Sequence, residues 1–249
     1  MNEETKNHIK LVSLNIELDK HLDIIFPFLE KQASDVFCLQ ELFEPDFEDF
    51  EKNLKMKGFF IPMAKSQGFK KGREKILIPY GVGFFSSLPI ENPKEDFYYG
   101  GRSELKEMVV GDRTTINRVF FHADVIKNSE RFTIGTTHFT WNADGKADNY
   151  QRKDLKALFA ILNDFPEIVF CGDFNTPRGG EIFNTIAKRY KDNIPEKYKT
   201  SIDSNFHQAG HLMCMVDALF STFHFNIKNV KLVSGLSDHY AVIANVFRA

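Results

Sequence analysis

The run Val169-Phe170-Cys171-Gly172-Asp173-Phe174-Asn175 sets an acid and an amide two residues apart at the end of an apolar stretch. Ile168 to Cys171 predicts a buried strand, because it is β-branched and aromatic and a glycine follows it. Side chains at i and i+2 of an extended segment point the same way, so Asp173 and Asn175 are expected to face one reacting atom. A carboxylate that accepts a proton beside an amide that donates to an oxyanion suits attack of water on phosphate. Taken alone, Gly-Asp-Phe-Asn also fits an ordinary turn.

Other polar residues fall at the ends of predicted strands. Asn15 ends Ile9–Asn15, and Glu41 follows Asp35–Leu39. His138 follows Phe132–Thr137, Asp217 lies in Met215–Phe220, and Asp238-His239 precedes Ala241–Phe247. Aligned, these ends would gather three Asp, one Glu, two Asn and two His on one rim. Such a rim offers hard oxygen ligands for Mg²⁺ or Mn²⁺ and two imidazoles for phosphate oxygens. Each residue also has a plainer reading: Glu41 as a solvated strand-end charge, Asp217 as a satisfied core carboxylate, His138 as a structural histidine.

Many short strands with helices between them must position these groups. Leu22, Ile25, Phe26 and Leu29 predict a helix that Pro27 should kink or restart. Phe47, Phe50 and Leu54 predict a second, stopping near Gly58. Strand-like runs follow at Phe59–Met63, Gly81–Ser86, Lys106–Val110, Asn117–Val125 and Phe132–Thr137. Leu155, Leu158, Phe159 and Leu162 mark another helix, and Ile182, Phe183 and Ile186 a further one. Val216–Ser221, Val230–Val233 and Ala241–Phe247 close the chain as strands. The least regular stretches are Lys65–Pro79, Asn92–Glu104 and Lys191–Gly210, and long loops are often functional. No internal repeat is visible. The pattern predicts one α/β or α+β domain over residues 1–249.

Composition narrows the class. The 249 residues are 43% hydrophobic and 27% charged, as expected of a soluble globular protein. The 26 phenylalanines predict a thick aromatic core. A net charge of −2 supplies no global field for nucleic acid, so any polyanion contact must be local. Cys38, Cys171 and Cys214 are isolated and odd in number, so neither a disulfide framework nor a zinc knuckle is expected. No signal-peptide pattern or run of transmembrane length is visible, and a reducing cytoplasm and a monomer are the expectations.

Leu14-Asn15, Leu39-Gln40-Glu41, Thr137-His138-Phe139, Gly172-Asp173-Phe174-Asn175, Val216-Asp217-Ala218-Leu219-Phe220 and Ser237-Asp238-His239, in that order, resemble the endonuclease/exonuclease/phosphatase (DNase I-like) superfamily. The resemblance implies a four-layer α/β/β/α sandwich of two packed, mainly antiparallel mixed sheets with the site at one rim. It implies a metal-dependent phosphodiesterase or nuclease using Mg²⁺ or Mn²⁺. Glu41 would be the main metal ligand, with Asn15 and Asp238 close to the metal. Asp173 would take the proton of the attacking water and Asn175 would help orient it. His239, held by Asp217, and His138 would donate to phosphate oxygens.

For substrate, histidine at position 138 is unlike the abasic-site endonuclease branch. It is similar to the DNase I, sphingomyelinase, inositol-phosphatase and tyrosyl-DNA phosphodiesterase 2 branches. The opening Asn15-Ile16-Glu17 and a loose match at Lys199–Ser204 lean toward the last, with a role in DNA repair. Three features are expected to rim one cleft around Asp173: Trp141; the basic loop with Lys70, Lys71 and Arg73; and the stretch with Thr200, Asp203 and His207. The loop reads first as a solvated loop and second as a phosphate-tracking one, and Trp141 equally as a stacking platform or as packing. His207 and His211 are four apart, but no partner carboxylate motif accompanies them as a zinc site would need. A small-molecule phosphoesterase and a non-catalytic module of the same fold are the competing readings.

Overall fold

The computed structural model describes residues 7–68 and 76–249. The elements run β1 (Ile9–Asn15), α1 (Leu22–Gln32), β2 (Val36–Phe43), α2 (Glu44–Leu54), β3 (Lys57–Gln67), β4 (Leu77–Ser86), β5 (Ile90–Tyr99) and β6 (Arg118–Lys127). They continue as β7 (Glu130–His138), α3 (Asn149–Leu162), β8 (Val169–Asp173), α4 (Glu181–Ala187), β9 (Lys191–Asp192), β10 (Asp217–Ser221), β11 (Phe225–Val233) and β12 (Ala241–Arg248). One six-stranded sheet has the order β11-β12-β1-β2-β4-β3, the other β5-β6-β7-β8-β10-β9. Each is antiparallel apart from one parallel pair, β1 with β2 and β7 with β8. A helix connects the two strands of each parallel pair, as parallel neighbours require a long crossover.

The inward faces of the two sheets pack together through Leu11, Val36, Cys38 and Phe84 from one and Val119, Phe121, Ile134 and Leu219 from the other. The apolar stripe of α1, with Phe50 of α2, covers the outside of the first sheet. Leu155, Leu158 and Leu162 of α3, with Ile182, Phe183 and Ile186 of α4, cover the outside of the second. The result is a four-layer α/β/β/α sandwich. Phenylalanines fill all three interfaces, and Phe170, Phe174 and Phe220 cluster beneath α4 in tilted and edge-on contacts with centroids 5.4–6.1 Å apart. No helix among the described residues is long and apolar enough to cross a membrane.

The two sheets follow one plan. In the first, β1-α1-β2-α2-β3-β4 is completed by the hairpin β11-β12; in the second, β7-α3-β8-α4-β9-β10 is completed by the hairpin β5-β6. This repeat is invisible in the residues because a sheet plan constrains only the apolar alternation, which many sequences satisfy.

Several expected elements differ. Lys106–Val110 is not a strand: only Glu107 bridges Lys65, with Lys65 N donating to Lys106 O and Met108 N to Lys65 O. The segment is a strap over the sheet edge. The supposedly irregular Asn92–Glu104 contains most of β5, an edge strand whose solvent-facing residues are polar. β3 extends to Gln67 and β4 begins at Leu77, inside the stretch read as loop. α1 continues through Pro27 as one helix. α2 ends at a left-handed Lys55, not at Gly58. Gly58 already belongs to β3, where a Cβ would meet the Phe85 ring at 2.6 Å.

Candidate active site

The core stripe of several strands turns polar at one end. β1 reads Ile9, Leu11, Ser13, Asn15 along one side, β7 reads Phe132, Ile134, Thr136, His138, and β8 reads Val169, Cys171, Asp173. Because side chains alternate with a period of two, Asn15, His138 and Asp173 continue the inward face and meet above the core. Asp217 opens β10 directly across from Asp173, and His138 is the parallel partner of Asp173.

Glu41 reaches this face by another route. Alternation places Gln40 inward, where its amide donates to Thr136 Oγ1 at 3.2 Å, and would turn Glu41 outward. The β2–β4 register slips by one residue between Leu39 and Leu42, and Glu41 has φ +59°. This bulge re-aims the side chain toward the rim, at the cost of a left-handed residue that is not glycine.

Asp173 is the hub. Its Oδ2 lies 3.2 Å from Asn15 Nδ2, 3.3 Å from His138 Nε2 and 3.8 Å from His239 Nε2, and its Oδ1 accepts the Asn175 amide at 2.8 Å. Burial pushes the Asp173 carboxyl up. The His239 charge, the His138 hydrogen bond and charge, and the Asn175 amide outweigh burial and hold the group well below the usual carboxylate range. Gly172 makes the approach possible: with φ +141°, it lies against Thr137 of β7, whose carbonyl a Cβ would meet at 2.0 Å.

His239 Nδ1 lies 2.7 Å from Asp217 Oδ2. Burial lowers the His239 pKa, but Asp217 and Asp173 outweigh it and raise the imidazole well above its ordinary value. Burial also raises the Asp217 carboxyl, against the pull of His239. The backbone amides of Val216 and Asp217 donate to Ser201 Oγ at 3.1 Å, fixing the start of β10. Asp173, Asp217 and His239 offer ligand atoms within 4.8 Å of one another. With both imidazole nitrogens facing carboxylates, we read them as an imidazolium between two acids rather than as a metal centre.

The other side of the rim is less satisfied. Asp238 Oδ1 is buried without a hydrogen-bond partner. Burial pushes the Asp238 carboxyl up to about 7; His239 opposes this, while Glu41, Glu17 and Asp173 add to it. Glu41 receives the Asn15 amide at 3.2 Å, and Asn15 Oδ1 accepts the Glu17 amide at 3.1 Å. An orphaned buried oxygen among like charges fits a hard divalent cation, which takes oxygen ligands and cancels the repulsion. In this arrangement Asn15 orients the two flanking acids.

Asn175 departs from the common-face expectation. It is left-handed, with φ +52°, so the extended-strand argument fails at this residue. Its amide side chain donates to Phe139 O at 3.1 Å. It still lines the cavity over the site, as do Trp141 and His207. Thr200 and Asp203 do not. Thr200 Oγ1 accepts the Ile202 and Cys214 amides at 3.0 and 3.2 Å. Asp203 accepts the Gly235 and Asn205 amides at 2.7 and 3.0 Å. Both spend their polar atoms on loop structure. Lys70, Lys71 and Arg73 lie outside the described residues.

The sequence reading missed two supports. Arg118 donates to His138 O and Phe139 O, both at 3.0 Å, and so holds the end of β7. Arg113 of the strap ion-pairs with buried Asp154, with its guanidinium 3.9 Å from the Tyr99 ring centroid and 4.6 Å from that of Tyr150. Asp154 also accepts from Thr140 Oγ1 at 2.6 Å, two residues past His138. The available signal was in α3, where Gln151 and Asp154 interrupt the apolar stripe of Leu155, Leu158 and Leu162 and are buried with it.

Comparison with known proteins agrees with the fold. The human Nocturnin catalytic domain with bound sulfate superposes with a TM-score of 0.72 at 16% identity, covering 98% of this chain and 94% of that one. A mannosyl-6-phosphatase from Bacteroides thetaiotaomicron gives 0.67 at 13%, covering 96% and 99%. Truncated Caenorhabditis elegans TDP2 gives 0.63 at 17%, covering 98% and 100%. No curated protein matches in sequence. The sequence model of the Endonuclease/Exonuclease/phosphatase family matches residues 12–239, which span every rim residue from Asn15 to His239, and the chain belongs to that family.

Proposed function

We propose that this chain is a Mg²⁺- or Mn²⁺-dependent phosphodiesterase that cleaves a phosphoester bond by attack of water. The supporting observation is Asp173, held among Asn15, His138 and His239 beside the under-partnered Asp238. Glu41 and Asp238, with Asn15 beside them, are the residues that would hold the cation. Such a cation supplies neutralisation of charge on the phosphoryl group and the departing oxygen. Asp173, kept ionised, orients the attacking water and takes its proton. Asn175 helps place that water through its position in the cavity. His239, kept protonated between Asp217 and Asp173, donates to a non-bridging oxygen, and His138 donates from the β7 side.

Two substrate classes compete for this floor. Nucleic acid, including a 5′-tyrosyl end, is favoured by the leaning of Asn15-Ile16-Glu17 and by the likeness to TDP2. A small phosphoester is favoured by a cavity of about 430 Å³, the size of a small-molecule site. The deciding experiment is hydrolysis of bis-p-nitrophenyl phosphate with Mg²⁺ or Mn²⁺ against an EDTA control. A panel of 5′-phosphotyrosyl DNA, plain strands, abasic duplex, inositol phosphates and sphingomyelin follows it. Metal-dependent turnover is expected. Failure with both metals rejects the reading and favours a binding module; turnover that EDTA leaves untouched rejects the metal and points to a metal-independent hydrolase.

A further inference from the structure

The walls of the cavity differ in kind from its floor. The strap between β5 and β6 contributes Met108, Val109, Val110 and Ile116, and the loop after β7 contributes Trp141. Leu212 closes the third side. Four of these stay open to solvent: Val110 is 77% exposed, Val109 52%, Trp141 44% and Leu212 42%. An apolar collar left bare around a polar floor marks a surface that something else covers.

Charge among the described lining residues argues against a polyanion as that cover. Among the described lining residues the acids are Glu41, Asp112, Asp144, Asp173 and Asp238, and no lysine is present. Besides the histidines of the floor, the cationic lining residues are Arg113, paired with Asp154 between two tyrosines, and Arg118, spent on two backbone carbonyls. A strand that tracks this cavity would lay phosphates flanking the floor against the wall carboxylates of Asp112 and Asp144, whereas strand binding depends on cations that neutralise them. The Arg113–Asp154 pair also anchors the strap, so the apolar wall has a fixed place over the floor.

Resting on the phosphodiesterase reading above, we propose that the substrate is a small phosphoester carrying an apolar, uncharged aryl or alkyl body, seated between the Val109–Val110 strap, Trp141 and Leu212. The reaction adds water across one bond. The water oxygen bonds to phosphorus, the phosphorus–oxygen bond to one ester group breaks, and the departing oxygen takes up a proton to leave as an alcohol or phenol. Asp173 receives the proton lost by the water. The substrate phosphate meets the floor, and the apolar body gives the affinity that a phosphate alone lacks.

A homologous series tests this with the reacting bond held constant. Methyl, butyl, hexyl and phenyl p-nitrophenyl phosphodiesters all release p-nitrophenolate, so kcat/KM reports the second ester group. It is expected to rise about fourfold per methylene until the collar is filled. The phenyl ester separates an aryl seat from an alkyl one. Val110→Asp and Leu212→Asp change exposed residues that the fold does not depend on, and each should reduce the hexyl-to-methyl ratio at least tenfold. A p-nitrophenyl ester of a dinucleotide, and then of a tetranucleotide, should be progressively poorer than the hexyl ester. A flat alkyl series with turnover present overturns this inference and leaves metal-dependent hydrolysis standing. Rates that climb with added nucleotides and fall steeply with salt overturn it in favour of a strand. No turnover of any ester with either metal removes both readings.

Discussion

On the β8–β10 side of the rim, Asp173 and Asp217 face imidazole and amide donors, and the shared His239 is driven to its charged form. On the β2–β12 side, Asp238 keeps a buried oxygen without a partner and its carboxyl is pushed up to about 7. Both sides are rich in acid, the first buried and the second half-buried. They differ in that one carries its own counter-charge, fixed by hydrogen bonds, and the other does not. A preorganised polar network lowers the cost of meeting new charge during reaction, whereas an unbalanced acid cluster creates affinity for a cation. On the proposed function, one rim would divide proton handling and phosphate contact from metal binding, and substitutions on the two sides should fail differently.

The largest effect is expected from Asp173→Asn, which keeps the size but removes the proton acceptor. It should lower kcat by about 10²–10⁴ with little change in KM. Steady-state kinetics on bis-p-nitrophenyl phosphate decide; a near-normal kcat would mean that Asp173 only organises its neighbours. Glu41→Gln attacks the other side. At Mg²⁺ about 100-fold above its Kd, linkage should stabilise the wild type by about 2.7 kcal/mol. The variant should fold yet lose most of that gain in thermal unfolding with and without EDTA. If it keeps an undiminished Mg²⁺ shift, the cation lies elsewhere.

Asp217→Asn should weaken the hold on His239 without touching the cation. A loss of roughly 10- to 100-fold in kcat is expected, with an unchanged Mg²⁺ shift. Combining it with His239→Gln should cost less than the sum of the two, since both variants break one interaction. Additive losses would show that the 2.7 Å contact is not how Asp217 acts. The smallest catalytic effect should come from Asp203→Asn, which lies off the rim. Loss of one acceptor for the Gly235 or Asn205 amide should cost about 1–3 kcal/mol of stability, read by urea unfolding, with kcat/KM nearly intact. A selective loss of kcat/KM at normal stability would return Asp203 to the substrate contacts.

The sequence revealed those features that strand alternation carries. Asn15, His138 and Asp173 could be placed because each continues an apolar stripe by one more step of two. Glu41 and Asn175 broke that logic: both have positive φ, and a left-handed residue redirects its side chain in a way no periodicity reports. The strap was misread because its brief apolar run looks like a strand while it bridges β3 at a single residue. β5 was misread in the opposite sense, since its exposed face made it resemble a loop. Thr200 and Asp203 have residue types that suit ligands, yet backbone amides of their own loop and of the β11–β12 connection claim them. Arg113 and Asp154 come together from 41 residues apart, which local pattern cannot see.

The duplicated sheet plan has a consequence for how the chain can be rearranged. The first plan takes its closing hairpin, β11-β12, from far along the sequence, whereas β5-β10 supply the second without interruption. Ile9 of β1 stands opposite Val246 of β12, and the His8 and Phe247 rings stack 4.8 Å apart. The connectivity is therefore a ring of two equivalent arcs that happens to be opened between β12 and β1. A circular permutant opened at residues 87–89, with β12 linked to β1 by a short flexible segment, would make each arc continuous. It should refold with the rim intact, because neither the opening nor the link touches a strand end that carries a site residue. Expressed as two separate pieces, the arcs should each be inert, since Glu41 and Asp238 lie on one and His138, Asp173 and Asp217 on the other. Activity would return only when the two pieces reassociate.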